Sequence, residues 1–118
     1  MSEDGRGRDW QLHIDDMITF ARKVQSYTAG LDQAGFVADG RTYDATLRNL
    51  ELIGEAAGRV PDDIRADHAE IPWRQIIATR NQLIHAYLGI DDDTVWSIIQ
   101  DDLPALLVAL ESLVAKSP

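Results

Sequence analysis

The segment WRQIIATRNQLIHAYLGIDDD, Trp73 to Asp93, gathers an arginine, an amide, an imidazole and a phenol in eight residues: Arg80, Asn81, His85 and Tyr87. A guanidinium and an amide bind phosphate oxygens, and an imidazole exchanges protons near neutral pH, so the set suits phosphate chemistry. Asn81 and His85 are four residues apart and share one side of a helical turn, whereas Arg80 and Tyr87, seven apart, nearly superpose. Arg74, on the neighbouring face, adds a second cation placed to bind substrate. Arg80 and His85 lie about 140° apart on an ideal helix, so one isolated helix does not hold them together. Arginine's reach, a distorted helix end or a symmetric dimer could each bring them to one place.

A structural reading stands beside the chemical one. Trp73, Ile76, Ile77, Leu83, Ile84 and Tyr87 form an apolar stripe with Arg80 at its centre. A buried guanidinium needs a partner, and Glu51 or Glu55 could supply it. On this reading His85 fills a packing gap and Tyr87 is a core residue with its hydroxyl at the surface.

Other chemistries find little support. The chain has no cysteine, which removes disulfides and thiolate metal sites. His13 and His68 have no ligand at metal-binding spacing, and Asp91 to Asp93 lack the ordered spacing of a calcium loop. The glycines of "GEAAG", Gly54 to Gly58, fit helix packing better than a phosphate loop. No metal and no cofactor are expected. A net charge of −9 argues against broad binding to duplex nucleic acid while leaving room for a local arginine-lined cleft. The longest apolar run, "LPALLVALESLVA", is too short and interrupted to span a membrane, and a cytoplasmic location is expected.

These residues need elements to hold them, and the periodicity is helical throughout. Residues 1–8 read as a disordered leader, and 9–118 as a single helical domain. A first helix is expected from about Trp10 to Tyr27, capped by Asp9, with Ile14, Met17, Ile18, Ala21 and Val24 inward and Gly30 as its stop. Leu31 to Gly40 reads as a loop or short turn. A second helix covers about Arg41 to Val60, where Gly54 and Ala57 would let a neighbour approach closely. A short turn of helix follows Pro61. The third main helix, begun at Pro72 and closed by Gly89, carries the motif. One of Asp91 to Asp93 caps a fourth, whose inward positions run from Val95 to Val114 and which Pro104 should kink near Asp101 and Asp102. The economical architecture is an all-α, antiparallel bundle of four to five helices.

"IPWRQIIATRNQLIHAYLGID", preceded by "ATLRNLELIGEAAGRVP" and followed by "VWSIIQDDLP", resembles the HepT-like branch of the HEPN domain proteins over roughly Asp9 to Leu113. The mark of that family is Arg, four residues, His, any residue, Tyr, matched by Arg80, His85 and Tyr87, with Asn81 as the polar residue after the arginine. The resemblance implies a HEPN-type helical bundle that forms a homodimer with both motifs facing one cleft. It also implies the toxin of a type VII toxin–antitoxin system, a ribonuclease neutralised by a minimal nucleotidyltransferase antitoxin that AMPylates Tyr87. The expected reaction is metal-independent cleavage of single-stranded RNA: His85 as general base, Arg80 stabilising charge on the phosphate, Asn81 orienting. The rival is a catalytically idle helical module whose Arg80 and Tyr87 serve only a dimer or partner interface.

Overall fold

The structure, a computed structural model, describes residues 2–85 and 90–116, with side chains from Asp9 onward. Its helices are α1 (Ser2–Thr28), α2 (Gln33–Ala38), α3 (Gly40–Gly58), α4 (Asp62–Asp67), α5 (Trp73–His85), α6 (Asp92–Ser97) and α7 (Leu103–Lys116). A π-helical turn, Ile98–Asp102, joins the last two into one interrupted helix. No strand occurs among the described residues, and the chain is an all-α bundle of four long elements with two short helices between them.

Each long element forms where an apolar face recurs at helical spacing. Ile14, Met17, Ala21 and Val24 of α1 are fully buried, and Gly30 ends that region with φ of 78°, a left-handed conformation that costs glycine little. α1 reaches back to Ser2 through the segment read as a leader, so Asp9 lies inside the helix and does not cap it. No proline precedes Trp10, and Gly5 and Gly7 each cost only about 1 kcal/mol relative to alanine.

The stretch read as a loop contains α2. Asp32 caps it by accepting from the Gly35 N–H at 2.8 Å, and Phe36 is wholly buried. Six residues are too few to display a period, which hid the helix. Asp39 caps α3 in the same way through the Thr42 N–H, and that hydrogen bond holds its carboxyl below the usual carboxylate range.

α3 is central. It packs on α1 along one side and on α5 along the other, while α1 also meets α7. The order of packed elements is therefore α5, α3, α1, α7, with α5 at an edge. An ion pair from Arg22 to Glu111 ties α1 to α7 across the surface.

The interruption expected before Pro104 is the π-helical turn, in which the Leu103 N–H reaches the Ile98 carbonyl. Val95, Ile99, Leu103, Leu106, Leu107, Leu110 and Leu113 of the composite helix are buried. Val114, expected inward, is instead 40% exposed, and Leu113 takes the inward position at this last turn.

Candidate functional site

Chain entry into α5 is fixed before the motif begins. Pro72 precedes the first helical residue, and Trp73 tucks its ring into the core while its Nε1–H donates to the His68 carbonyl at 3.0 Å. The part-buried His68 lies with its ring 6.0 Å from the Trp10 ring and its Nδ1 3.8 Å from Glu70.

Beyond Trp73 the expected apolar stripe does not become core. Ile76, Ile77, Leu83 and Ile84 all remain part-exposed, because α5 is covered chiefly by α3. An apolar cleft of about 70 Å³ remains between α3, α5 and the start of α7, lined by Leu50, Ile53, Ile76, Ile98, Leu103 and Leu106 among others.

Arg80 sits where α5 crosses α3. The crossing is so close that a Cβ placed on Gly54 would lie 2.1 Å from Arg80 Cβ. Arginine's stem therefore packs against bare backbone, and its guanidinium emerges part-exposed beside the next residue of α3. Nη2 is 3.8 Å from Glu55 Oε1, an ion pair too long to be a hydrogen bond, and Nη1 donates to Asn81 Oδ1 at 3.0 Å. Nε is buried without an acceptor. Of the two carboxylates proposed for Arg80, Glu55 is the partner; Glu51 accepts instead from Arg48 Nη1 at 2.8 Å.

Asn81 is exposed and directly joined to Arg80. His85, the last residue of α5, is also exposed and takes no hydrogen bond or ion pair from another described residue. Within one chain the structure thus unites Arg80, Asn81 and Glu55, and among the described residues no side-chain hydrogen bond or ion pair links His85 to them. Arg74 stands apart, exposed on an open groove it shares with Asp62, Arg65 and Trp73. Tyr87 and Gly89 lie outside the described residues.

The aspartate run has separate structural duties. Asp91 caps α6 through the Asp93 N–H, Asp92 accepts the Tyr43 hydroxyl proton at 2.8 Å, and Asp93 accepts from Gln33. Burial, together with the Asp92 hydrogen bond, pushes the Tyr43 phenol up to about 12. The Tyr43, Phe36 and Trp96 rings pack tilted at 5.2 and 5.4 Å, clamping α6 to α2 and α3. Among the described residues no three of His, Cys, Asp and Glu gather closely enough to hold a metal ion.

Sequence reasoning treated Glu55 only as a structural counter-ion. Its signal was its place after Gly54, where α5 comes close to the backbone of α3 beside Arg80.

Comparison with known proteins places the chain among ribonuclease relatives. The family described as "Ribonuclease HepT-like" matches residues 17–113. "Probable ribonuclease HepT" of Thermococcus cleftensis is 35% identical over 106 residues, covering 90% of this chain and 96% of the relative. "Putative RNase MJ1380" of Methanocaldococcus jannaschii is 33% identical, covering 88% and 95%. "Putative RNase TTE0752" of Caldanaerobacter subterraneus is 33% identical, covering 74% and 78%. No solved structure matches the chain.

Proposed function

The chain belongs to the ribonuclease HepT-like family, and from that premise we propose that it is an endoribonuclease toxin that cleaves single-stranded RNA without a metal ion. The observation that carries this reading is the state of Arg80: held against Gly54, tied to Asn81, and still part-exposed where a phosphate can reach it. A guanidinium fixed before substrate arrives stabilises growing phosphate charge with little reorganisation. Asn81 keeps that guanidinium in orientation. His85, exposed on the same helix, supplies proton transfer. Attack of the 2′-OH on the adjacent phosphorus would leave a 2′,3′-cyclic phosphate and a free 5′-OH. Arg74, one groove away, would bind a flanking phosphate.

The active species is a homodimer in the cytoplasm. In support, the apolar residues of α5 beyond Trp73 stay part-exposed in one chain, as expected of a helix that a second copy covers. Such packing would bring His85 of one chain toward Arg80 of the other. Regulation falls to Tyr87: a nucleotidyltransferase partner would place AMP on its phenol and so occupy the site meant for RNA phosphate.

The test is cleavage of end-labelled single-stranded RNA in EDTA by the parent, Arg80→Ala and His85→Ala proteins. Parent cleavage ending in cyclic phosphate, with both variants inactive and still helical, is expected. Equal cleavage by all three sinks the active-site assignment. Loss of parent activity in EDTA, restored by a divalent ion, sinks the metal-free mechanism. The rival idle module draws on the Arg80–Glu55 pair, which neutralises charge as a purely structural network would. It predicts no cleavage and a destabilised Arg80→Ala.

A further inference from the structure

Resting on the ribonuclease reading above, we propose that Glu55 is a second proton-transferring group of the site, the general base that takes the proton of the attacking 2′-OH.

Two glutamates stand one helical turn apart on α3 and have different fates. The Glu51 carboxylate is closed by a hydrogen bond from Arg48 Nη1 at 2.8 Å. Glu55 faces a more valuable cation and is not closed by it. At 3.8 Å from Arg80 Nη2 it feels the charge but receives no hydrogen bond from any other described residue. Its side chain is 30% exposed, so its oxygens are neither sealed in a core nor dispersed in solvent. A carboxylate meant only to neutralise Arg80 would be expected to close on it, as Glu51 closes on Arg48. Glu55 instead keeps acceptor capacity beside the group that would grip the phosphate.

Elementary chemistry then divides the two proton transfers. A carboxylate is deprotonated at neutral pH and accepts a proton, whereas an imidazole can give one up as imidazolium. Glu55 is the acceptor and His85 the donor, the reverse of the role the sequence assigned to His85. The O2′–H bond breaks with its proton passing to Glu55, and the O2′–P bond forms as the P–O5′ bond breaks. O5′ leaves with the proton from His85. Cyclic phosphate and 5′-OH result; Glu55 is left protonated and His85 neutral, and water exchanges both protons back. Arg80, between α3 and the phosphate, offsets the charge on the reacting oxygens throughout.

Among the described residues one charged side chain pairs with Glu55. α5 presents Arg80; on α3 itself Glu51, already paired with Arg48, lies one turn before and Arg59 one turn after. α1 faces the core with Ile14, Met17, Ala21 and Val24, and α2 contributes the Phe36 ring against Tyr43.

The experiment measures kcat and KM against pH on a short single-stranded RNA for the parent, Glu55→Gln, Glu55→Asp and Glu51→Gln, with melting curves for each. For the parent, kcat/KM should rise as a carboxylate ionises and fall as an imidazole loses its proton. Glu55→Gln should lower kcat about 100-fold with KM unchanged or smaller, and should erase the rising limb. Glu55→Asp should retain that limb with a partial kcat, and Glu51→Gln should behave as the parent. Overturning results are Glu55→Gln with kcat within twofold of the parent, or Glu55→Asp as inactive as Glu55→Gln while both melt normally. If Glu55→Gln does not fold, the retained or missing limb in Glu55→Asp decides. A parent that cleaves while Glu55→Gln keeps pace defeats this assignment alone, and a parent that cuts no RNA defeats the ribonuclease reading beneath it.

Discussion

Gly54 and Arg80 share one spot: the α-carbon of the glycine lies where a side chain would run into the arginine's Cβ, 2.1 Å from a Cβ built on the glycine. Backbone packs on side chain there, so the separation of two helices and the seat of the guanidinium are one constraint. Arg80 Cβ is not the far end of a flexible chain, so a side chain at position 54 is accommodated only if the two helices move apart.

Gly54→Ala should therefore push α5 away from α3. The expected cost is about 1–3 kcal/mol of stability, the range for overpacking a filled site. Activity should fall further than the lost stability accounts for, because Arg80 moves with the helix. Thermal melting and RNA cleavage measured below the variant's transition check both parts. Parental activity in a destabilised variant would separate the crossing from the site.

Sharing of the site between subunits is tested with two dead proteins. Arg80→Ala and His85→Ala chains, mixed and allowed to exchange, should regain up to roughly a quarter of parental activity if each site draws Arg80 from one chain and His85 from the other, since half the dimers are mixed and each restores one of two sites. Verified mixed dimers with no regain would show that each chain holds a complete site.

For regulation the test is mass. Incubation with a nucleotidyltransferase partner, ATP and magnesium should add one or more AMP units at Tyr87 and abolish cleavage, and Tyr87→Phe should escape both. Modification and silencing of Tyr87→Phe would place the switch elsewhere.

Tyr43 provides a pH prediction. Its phenol is pushed up to about 12 in the fold, against about 10 for an unfolded tyrosine, so the folded state holds this proton more tightly. Its contribution to stability is full below pH 10 and is lost as pH rises toward 12. Tyr43→Phe should be less stable than the parent at pH 8, by about 1 kcal/mol for one hydrogen bond, and the gap should narrow above pH 10. Urea unfolding at pH 8 and pH 10.5 measures it; a gap that stays constant would mean the fold does not raise the Tyr43 phenol, and no gap at pH 8 would mean the Tyr43–Asp92 bond contributes nothing.

The long helices were legible because each carries enough turns for its period to show, and the candidate site was legible as a set because Arg80, Asn81 and His85 fall within six residues. α2 was hidden by its length, although Asp32 held the cap in view. Glu55 was hidden for another reason. Its role depends on how closely α5 crosses α3, and no spacing within α3 reports that distance. Gly54 was readable as a small residue that admits a neighbour; which neighbour, and at which residue, required the packed pair. The stripe on α5 misled in the opposite sense, since periodicity marks an apolar face without stating how much of it the rest of the bundle covers.

The π-helical turn at Ile98–Asp102 has a consequence for how the bundle breathes. Leu103 spends its N–H on the Ile98 carbonyl and Pro104 has none to give, so the hydrogen-bond ladder between α6 and α7 is broken at one level. Amide exchange should divide there into two populations: slow in α7, held by Leu106, Leu107 and Leu110, and faster in α6, whose hold on the bundle is Val95 and the Tyr43, Phe36 and Trp96 clamp. α6 begins right after the segment that carries Tyr87. Release of that clamp would free α6 without opening the core behind α7.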